Sequence, residues 1–429
     1  MPIIQVPFEK SDETGASLSI NIPDHNLAGK FIPEEPKGIA DTETALLEAV
    51  ESPVAGKQFS ELVGPGVKVT FVTENQFRSA PANKLLIPLL KRALDAGAEV
   101  SVAIGCGSLP PLSGEEIENK LGRSVVETEV PIECNDVHQP ENYTFVGITS
   151  AGVPLWVLNS VAKADVVITI STTQAALWGY GGSGMIIPAV SGNETIEMNH
   201  VMSLAPDCVP GNNECKMQLD KYEALRMVGV DMGINVIVAN NWNTIFINAG
   251  EPEISHKGAI EYYEKLYKFD VRRYEKFDIV LVGSTAPTDH LFFHSGWAIV
   301  NCAPIVKDGG TIIFCSPCPG YYDWPGFALT DLMKDFMPPT PENHEKVLKS
   351  FYKKERELSA GCVWYPIFRT MLNKDVQIVT LPGNVEMARN AGLNVEVSLE
   401  EAMTKAMTKH GENARVAFVP FGRYTIFKV

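Results

Sequence analysis

His290 and His294 stand four residues apart in Pro287-Thr288-Asp289-His290-Leu291-Phe292-Phe293-His294. A helix there would put both imidazoles on one face, where they could bind a metal or carry protons. The zinc-protease pattern His-Glu-x-x-His is not met, because Leu291 occupies the Glu position. The plainer alternative is a first helical turn with two partly exposed histidines. Cys315-Ser316-Pro317-Cys318 is a C-x-x-C, the form of a redox pair or of half a zinc site. No second C-x-x-C exists, so this pair reads as two ordinary thiols at a strand end. No Ser-His-Asp triad or G-x-S-x-G elbow is readable.

Two glycine turns and a third histidine add to these. Gly105-Cys106-Gly107-Ser108 follows a strand and could bring backbone N–H groups close to a ligand, or simply turn the chain. Gly179-Tyr180-Gly181-Gly182-Ser183-Gly184 is a candidate anion or nucleotide cradle. No Gly-Lys-Ser/Thr follows, so it is not a Walker A loop. It does not follow its strand directly and Pro188 interrupts any helix after it, so it is not a dinucleotide fingerprint. A flexible solvated loop is the alternative, but four glycines among apolar neighbours without charge argue against it. Glu194-Thr195-Ile196-Glu197-Met198-Asn199-His200 ends in a histidine that is either a metal ligand or a structural one.

The elements that must position these groups alternate between strand and helix. Val67–Val72, Glu99–Ile104 and Asp165–Ile170 read as strands; Ala80–Ala96 and Ser113–Leu121 read as helices. Lys257–Lys268 reads as an amphipathic connecting helix. A second series follows: strands at Asp278–Gly283, Gly310–Cys315 and Val376–Leu381, and helices near 290–303, 341–355, 384–391 and 398–409. The last helix is opened by Ser398 with Glu401 as a capping box. Strands Arg415–Pro420 and Thr425–Val429 close the chain. The expected fold is α/β: two lobes with mostly parallel sheets, at 1–270 and 271–429, and a cleft between them for cofactor and substrate.

Composition narrows the function classes. In 429 residues, 36 Lys and Arg against 52 Asp and Glu give a formal charge of -16, which argues against nucleic acid or an anionic membrane as partner. A small anionic substrate remains compatible, since one arginine in a cleft outweighs a distant field. The N-terminus lacks a signal-peptide pattern, and no stretch reads as a membrane helix. With eight scattered cysteines, the expectation is reduced thiols in the cytoplasm. Oligomeric state is not legible.

Taken together, these segments resemble the nickel-dependent lactate racemase family. The resemblance runs through the early LSINIPD strand, Arg78-Ser-Ala-Pro81, the G-x-G-S turn before a Ser-Gly-Glu-Glu helix, and ADVVITI. It continues through the Gly-Gly loop, the Pro188…Glu194-Thr195-Ile196…Asn199-His200 run, the S-x-x-P-x-D segment at 284–289 and the closing VAFVPFGRYTIF. The resemblance implies two α/β lobes around a nickel-pincer nucleotide. It also implies a lysine tethering that cofactor, a histidine on nickel, two histidines as alternating bases, and an arginine on the substrate carboxylate.

Carried over by position, Arg78 matches the arginine and His200 the nickel ligand. The tethering lysine falls on Gly184, the two base histidines on Ser108 and Gln174, and a later glutamine and lysine on His294 and Trp297. The family's Asp-x-Thr-Arg becomes Asn75-Gln76-Phe77-Arg78. Glycine cannot form a tether, and Ser and Gln do not titrate near neutral pH. The two-histidine racemisation of lactate is therefore not expected. The first reading is a divergent racemase or epimerase of a 2-hydroxy acid or sugar acid, holding any nickel-pincer nucleotide non-covalently. In it Asn75, Gly181, Gly182, Ser183, Gly184 and His200 would bind the cofactor, with His200 on nickel. Arg78, Ser108, Gln174 and Trp297 would bind substrate, and His294 or His290 would act as base. Trp178 is expected in the core. The alternative is a non-catalytic small-anion or cofactor-binding protein on the same scaffold. A thiol enzyme using Cys106 has no paired base in the sequence.

Overall fold

The computed structural model describes residues 3–9, 16–319, 334–356 and 358–429. Among them, two six-stranded sheets dominate. Their strands, in chain order, are β1 (Leu27–Lys30), β2 (Lys68–Glu74), β3 (Glu99–Gly105), β4 (Ile132–Cys134), β5 (Val166–Thr172) and β6 (Met232–Val238). The remainder are β7 (Thr244–Gly250), β8 (Phe277–Val282), β9 (Val306–Cys315), β10 (Asp375–Val379), β11 (Asn394–Glu396) and β12 (Val416–Val419). The first sheet has the order β7-β6-β5-β2-β3-β4 and is parallel except for the β6–β7 hairpin. The second has the order β11-β10-β9-β8-β12-β1 and is parallel throughout. Parallel strands are covered on both faces, so they are apolar along their length. All seven residues of β5 are buried, which accounts for the absence of charge along it.

The chain divides into two compact units. One comprises Glu35–Gln174 with Trp178–Leu266; the other comprises Tyr267–Val429 with the first 34 residues and Ala175–Leu177. This differs from the expected split at 270 in two respects, the early chain and Ala175–Leu177. The early chain belongs with the C-terminal unit because β1 pairs with β12: Val416 lies opposite Leu27 and Phe418 opposite Lys30. A four-residue strand carries too little pattern to name its partner.

In the first unit the helix Ala82–Asp95 (α1) buries Leu85, Leu86, Leu89 and Leu90 against the sheet, each worth roughly 1.5–3 kcal/mol of transfer free energy. The helix Gly114–Leu121 (α2) has the expected start: Ser113 accepts from the Glu116 amide, and Glu116 from the Ser113 amide. Three more helices serve the site: α3 (Asn193–His200), α4 (Lys216–Val228) and α5 (Pro252–Tyr267). In the second unit Ser398 accepts from the Glu401 amide at the start of the helix Leu399–His410. The helix Leu358–Met371 was not expected: its sequence is apolar all round, with Pro366 inside, so no 3.6-residue period shows.

The helix expected over 290–303 is broken. A 3-10 turn (Thr288–His290) is followed by Leu291 in an extended conformation, then Phe292–Ser295, then Trp297–Cys302. His290 and His294 therefore do not share a helix face. Leu291 leaves the helix to bury its side chain, and a pattern of spacing alone cannot register that break.

Candidate functional site

In the first sheet, β3 and β4 extend one way from β2 while β5, β6 and β7 lie on its other side. The topological switch point is thus between β2 and β5, and in such sheets ligands bind beyond the carboxyl ends of the strands at that point. The side chains found there are polar and buried. Glu74, last in β2, ties the two strand ends together: one carboxylate oxygen accepts from the Ala80 amide (2.8 Å) and the Thr172 hydroxyl (2.6 Å), the other from the Thr172 amide (2.8 Å). Asn75 accepts from the Phe77 amide at 3.2 Å and turns the chain toward Arg78. Arg78 donates to the Phe77 carbonyl (3.1 Å), and its own carbonyl accepts from Lys120 on α2 (2.8 Å). Loss of solvation, then the nearby Arg78 charge, brings the Lys120 ammonium down to about 8 against attraction from Glu74. The hydroxyls of Thr73 and Thr173 are buried with no hydrogen-bond partner among the described residues.

The glycine loop closes the same end of the sheet. It is not a solvated loop: Tyr180 and Ser183 are buried. Gly181 donates its amide to the Gln174 carbonyl (2.9 Å). Ser183 donates to Gln218 of α4 (2.9 Å), and Gln218 donates to the Trp178 carbonyl. Tyr180 donates to Glu264 of α5 at 2.5 Å. His256, also on α5, has its Nε2 2.5 Å from the Gly181 carbonyl and its Nδ1 2.8 Å from the Tyr222 hydroxyl. A carbonyl only accepts, so Nε2 carries the proton and Nδ1 accepts from Tyr222, which in turn accepts from Asn213. Burial brings the His256 imidazole down to about 4. Gly182 has φ +112, and a Cβ there would meet the His256 ring at 2.6 Å and the Thr173 hydroxyl at 3.4 Å. Only glycine fits that conformation and that approach.

His200 ends α3 and is 6 % exposed. Its Nδ1 lies 2.9 Å from the Ile196 carbonyl, so Nδ1 holds the proton and Nε2 the lone pair. Burial, and then the charge of Lys221, bring it down to about 3, so the ring is neutral at pH 7. Trp178, buried as expected, meets it edge-on at 5.4 Å. The run leading to His200 anchors its helix: the Thr195 hydroxyl donates to the Pro154 carbonyl (2.6 Å), and Asn199 donates to Asp220 (2.7 Å).

Residues 14–209 match the lactate racemase N-terminal domain family. Over these residues the chain resembles that domain. A lactate racemase of Lactiplantibacillus plantarum is 22% identical over 446 residues, covering 100% of both chains. The lactate racemase apoprotein of Thermoanaerobacterium thermosaccharolyticum has the same fold, with a TM-score of 0.88 at 20% identity over 100% of both chains. A Thermotoga maritima protein shares it at 0.69 and 16% identity, over 92% of this chain and 99% of its own.

The first unit places Asn75 and Arg78 after β2, Gln174 and the glycines of Gly181–Gly184 after β5, and Ser108 in the turn after β3. Gly184 follows in the same loop, where a Cβ would meet only Pro188 at 3.5 Å. Sequence reasoning missed Glu74, Lys120, Gln218, Tyr222 and His256. His256 sits one residue before the expected start of its helix, and its contact with Gly181 is 75 residues distant in sequence.

The remaining candidates lie in the second unit. His294 is buried, with its ring 4.9 Å from that of Phe293 and 5.9 Å from that of Trp297. His290 is half-buried, and burial lowers its pKa. Trp297 carries the buried Arg423 guanidinium 4.0 Å above its ring, and Arg423 donates to the Ala175 carbonyl (2.6 Å). Cys315 and Cys318 are buried; Cys318 contacts the Ser295 and Ser316 hydroxyls, and burial pushes its thiol up to about 12. Cys106 is held far above the usual thiol range by Cys134 and by burial, which disfavours a thiolate nucleophile.

A covalently tethered pincer nucleotide does not fit this chain, because position 184 offers no amine. An untethered one does fit: His200 presents a neutral imidazole lone pair, and two unpartnered threonine hydroxyls stand buried at the strand ends. No three His, Cys, Asp or Glu side chains gather as a metal site among the described residues. Nickel would therefore need other donors, such as a chelating cofactor brings.

Proposed function

We propose that the chain is a racemase- or epimerase-like isomerase acting on a 2-hydroxy acid or sugar acid, with any nickel-pincer nucleotide held non-covalently. The observation that carries this reading is the state of His200: kept neutral by burial and oriented through Ile196 so that Nε2 is the available donor. In this reading Asn75, Gly181, Gly182, Ser183 and the Thr73 and Thr173 hydroxyls line the cofactor's place. When bound, the cofactor would supply a hydride acceptor for the substrate Cα. Arg78 would hold the substrate carboxylate as a charge-assisted pair. Ser108 and Gln174 would hydrogen-bond and orient substrate, since neither can serve as a base at neutral pH. His290 is the better proton carrier of the two later histidines, because His294 is almost wholly enclosed. The eight cysteines suit a reducing, cytoplasmic setting.

The test is stereochemical. Protein co-produced with a nickel-pincer biosynthetic pathway would be incubated with single enantiomers of a 2-hydroxy-acid panel in deuterium oxide. Formation of the opposite configuration by wild type, lost in His200→Ala, supports the proposal. A second reading, a small-anion binder without turnover, is favoured by the non-titrating residues at 108, 174 and 184. Saturable binding with no inversion across the panel would select it.

A further inference from the structure

We infer that Cys208, Cys215 and Met217 form a three-sulfur site for copper(I). The Cys208 Sγ lies 3.5 Å from the Cys215 Sγ and 3.7 Å from the Met217 Sδ. All three side chains are at most 2 % exposed. Bonds of about 2.3 Å from a metal to three sulfurs in a plane would hold those sulfurs about 4.0 Å apart. The two separations from Cys208 therefore need to widen by roughly half an ångström at most.

The loop between the cysteines is already ordered for this. The Asn212 amide donates to the Val209 carbonyl (3.2 Å), the Asn212 side chain to the Asp207 carbonyl (2.8 Å), and the Glu214 amide to the Asn212 side chain (3.1 Å). Cys215 is the residue that opens α4, and Met217 lies in its first turn. Little ordering entropy is left to oppose binding.

The donor set selects the ion. Two thiols and a thioether are soft ligands, which favour copper(I). Zinc takes four nitrogen, oxygen or thiolate ligands. Here no third His, Cys, Asp or Glu joins the two thiols among the described residues. Charge also balances. Copper(I) would displace one proton from each thiol, leaving a site of net charge -1, and the buried Lys221 on the same helix acts on both sulfurs with its positive charge. No electron is transferred. The inference is independent of the isomerase reading, since neither thiol takes part in it.

The test is an anaerobic titration of reduced, metal-free, full-length protein with copper(I) against the chromogenic chelator bathocuproine disulfonate. Wild type is expected to withdraw one equivalent. Cys208→Ser should lose that step, and Cys106→Ser, which alters the other thiol pair, should keep it. Met217→Leu changes little in volume and should fold; its affinity should fall at least as far as the 10–100-fold typical of losing an outer ligand. The inference is overturned by no copper withdrawn by wild type, undiminished copper in Cys208→Ser, or equal uptake of zinc or nickel by the same sulfurs. A two-dalton mass loss without copper would also overturn it, and make the pair a disulfide.

Discussion

The imidazole of His256 sits 2.5 Å from the carbonyl of Gly181 and fills the space that a side chain on Gly182 would need. Helix α5 thereby fixes the glycine loop, while on α4 Gln218 accepts from Ser183 of the loop and Tyr222 braces His256. The loop is hydrogen-bonded, with Tyr180 and Ser183 buried and Gly181, Gly182 and Gly184 half-buried.

Gly182→Ala should therefore cost more than an ordinary loop substitution. Strain at φ +112 adds to a 2.6 Å clash with the His256 ring, together about 1–3 kcal/mol. Gly184→Ala, at an unstrained position with a 3.5 Å neighbour, should stay within about 1 kcal/mol. Urea midpoints of the two variants check this; equal midpoints would remove the special role of His256.

Stability should fall on acidification from pH 6.5. His200 and His256 are neutral in the fold, held down to about 3 and about 4 from an ordinary 6.5. The unfolded chain thus binds more protons below pH 6.5, and each histidine removes up to about 1.4 kcal/mol per pH unit as the pH drops toward 4. Asp289 has the opposite sign. Burial, then Glu9, push it from 3.8 up to about 8, so the fold binds the extra proton between those values and gains as the pH falls. Between pH 6.5 and 4, His256→Gln should flatten the decline and Asp289→Asn should steepen it. Unfolding midpoints measured across that range give the answer.

Arg78→Ala should weaken binding of a small 2-hydroxy acid, with lactate as first probe, by about 10–100-fold, the worth of a hydrogen-bonded charge pair. Isothermal calorimetry at low salt measures it. Unchanged affinity would remove Arg78 from the substrate site.

Gly184→Lys tests the position of the missing tether. The backbone there is unstrained and the added Cβ meets only Pro188, so the variant should fold. Produced with the cofactor pathway, it should acquire a nucleotide-sized adduct that survives denaturation, which wild type should release. Denaturing mass spectrometry distinguishes the two.

The sequence made the strands and their hydrophobic cores legible because β-branched runs such as Asp165–Ile170 and leucine-spaced helices such as Ala80–Ala96 carry their own period. It also placed Asn75, Arg78 and the glycine loop correctly after strands, since turn residues punctuate strand ends. What it could not show was contact at long range. The pairing of β1 with β12, the clamp of Glu74 on Thr172, and the reach of His256 to Gly181 each join segments that no local pattern links. The break at Leu291 escaped for a related reason: a spacing of four is read as helical whether or not the backbone between is helical. The helix Leu358–Met371 was missed because it is apolar on every side.

In the proposed function His200 holds nickel within an untethered nucleotide. Native mass spectrometry with metal analysis, on protein made with and without the nickel-pincer pathway, tests it most directly. Wild type should carry about one nickel and one nucleotide-sized adduct per chain, present only with the pathway, released on denaturation and absent from His200→Ala. Neither nickel nor adduct in wild type, or full nickel in His200→Ala, would contradict it and leave His200 a structural histidine.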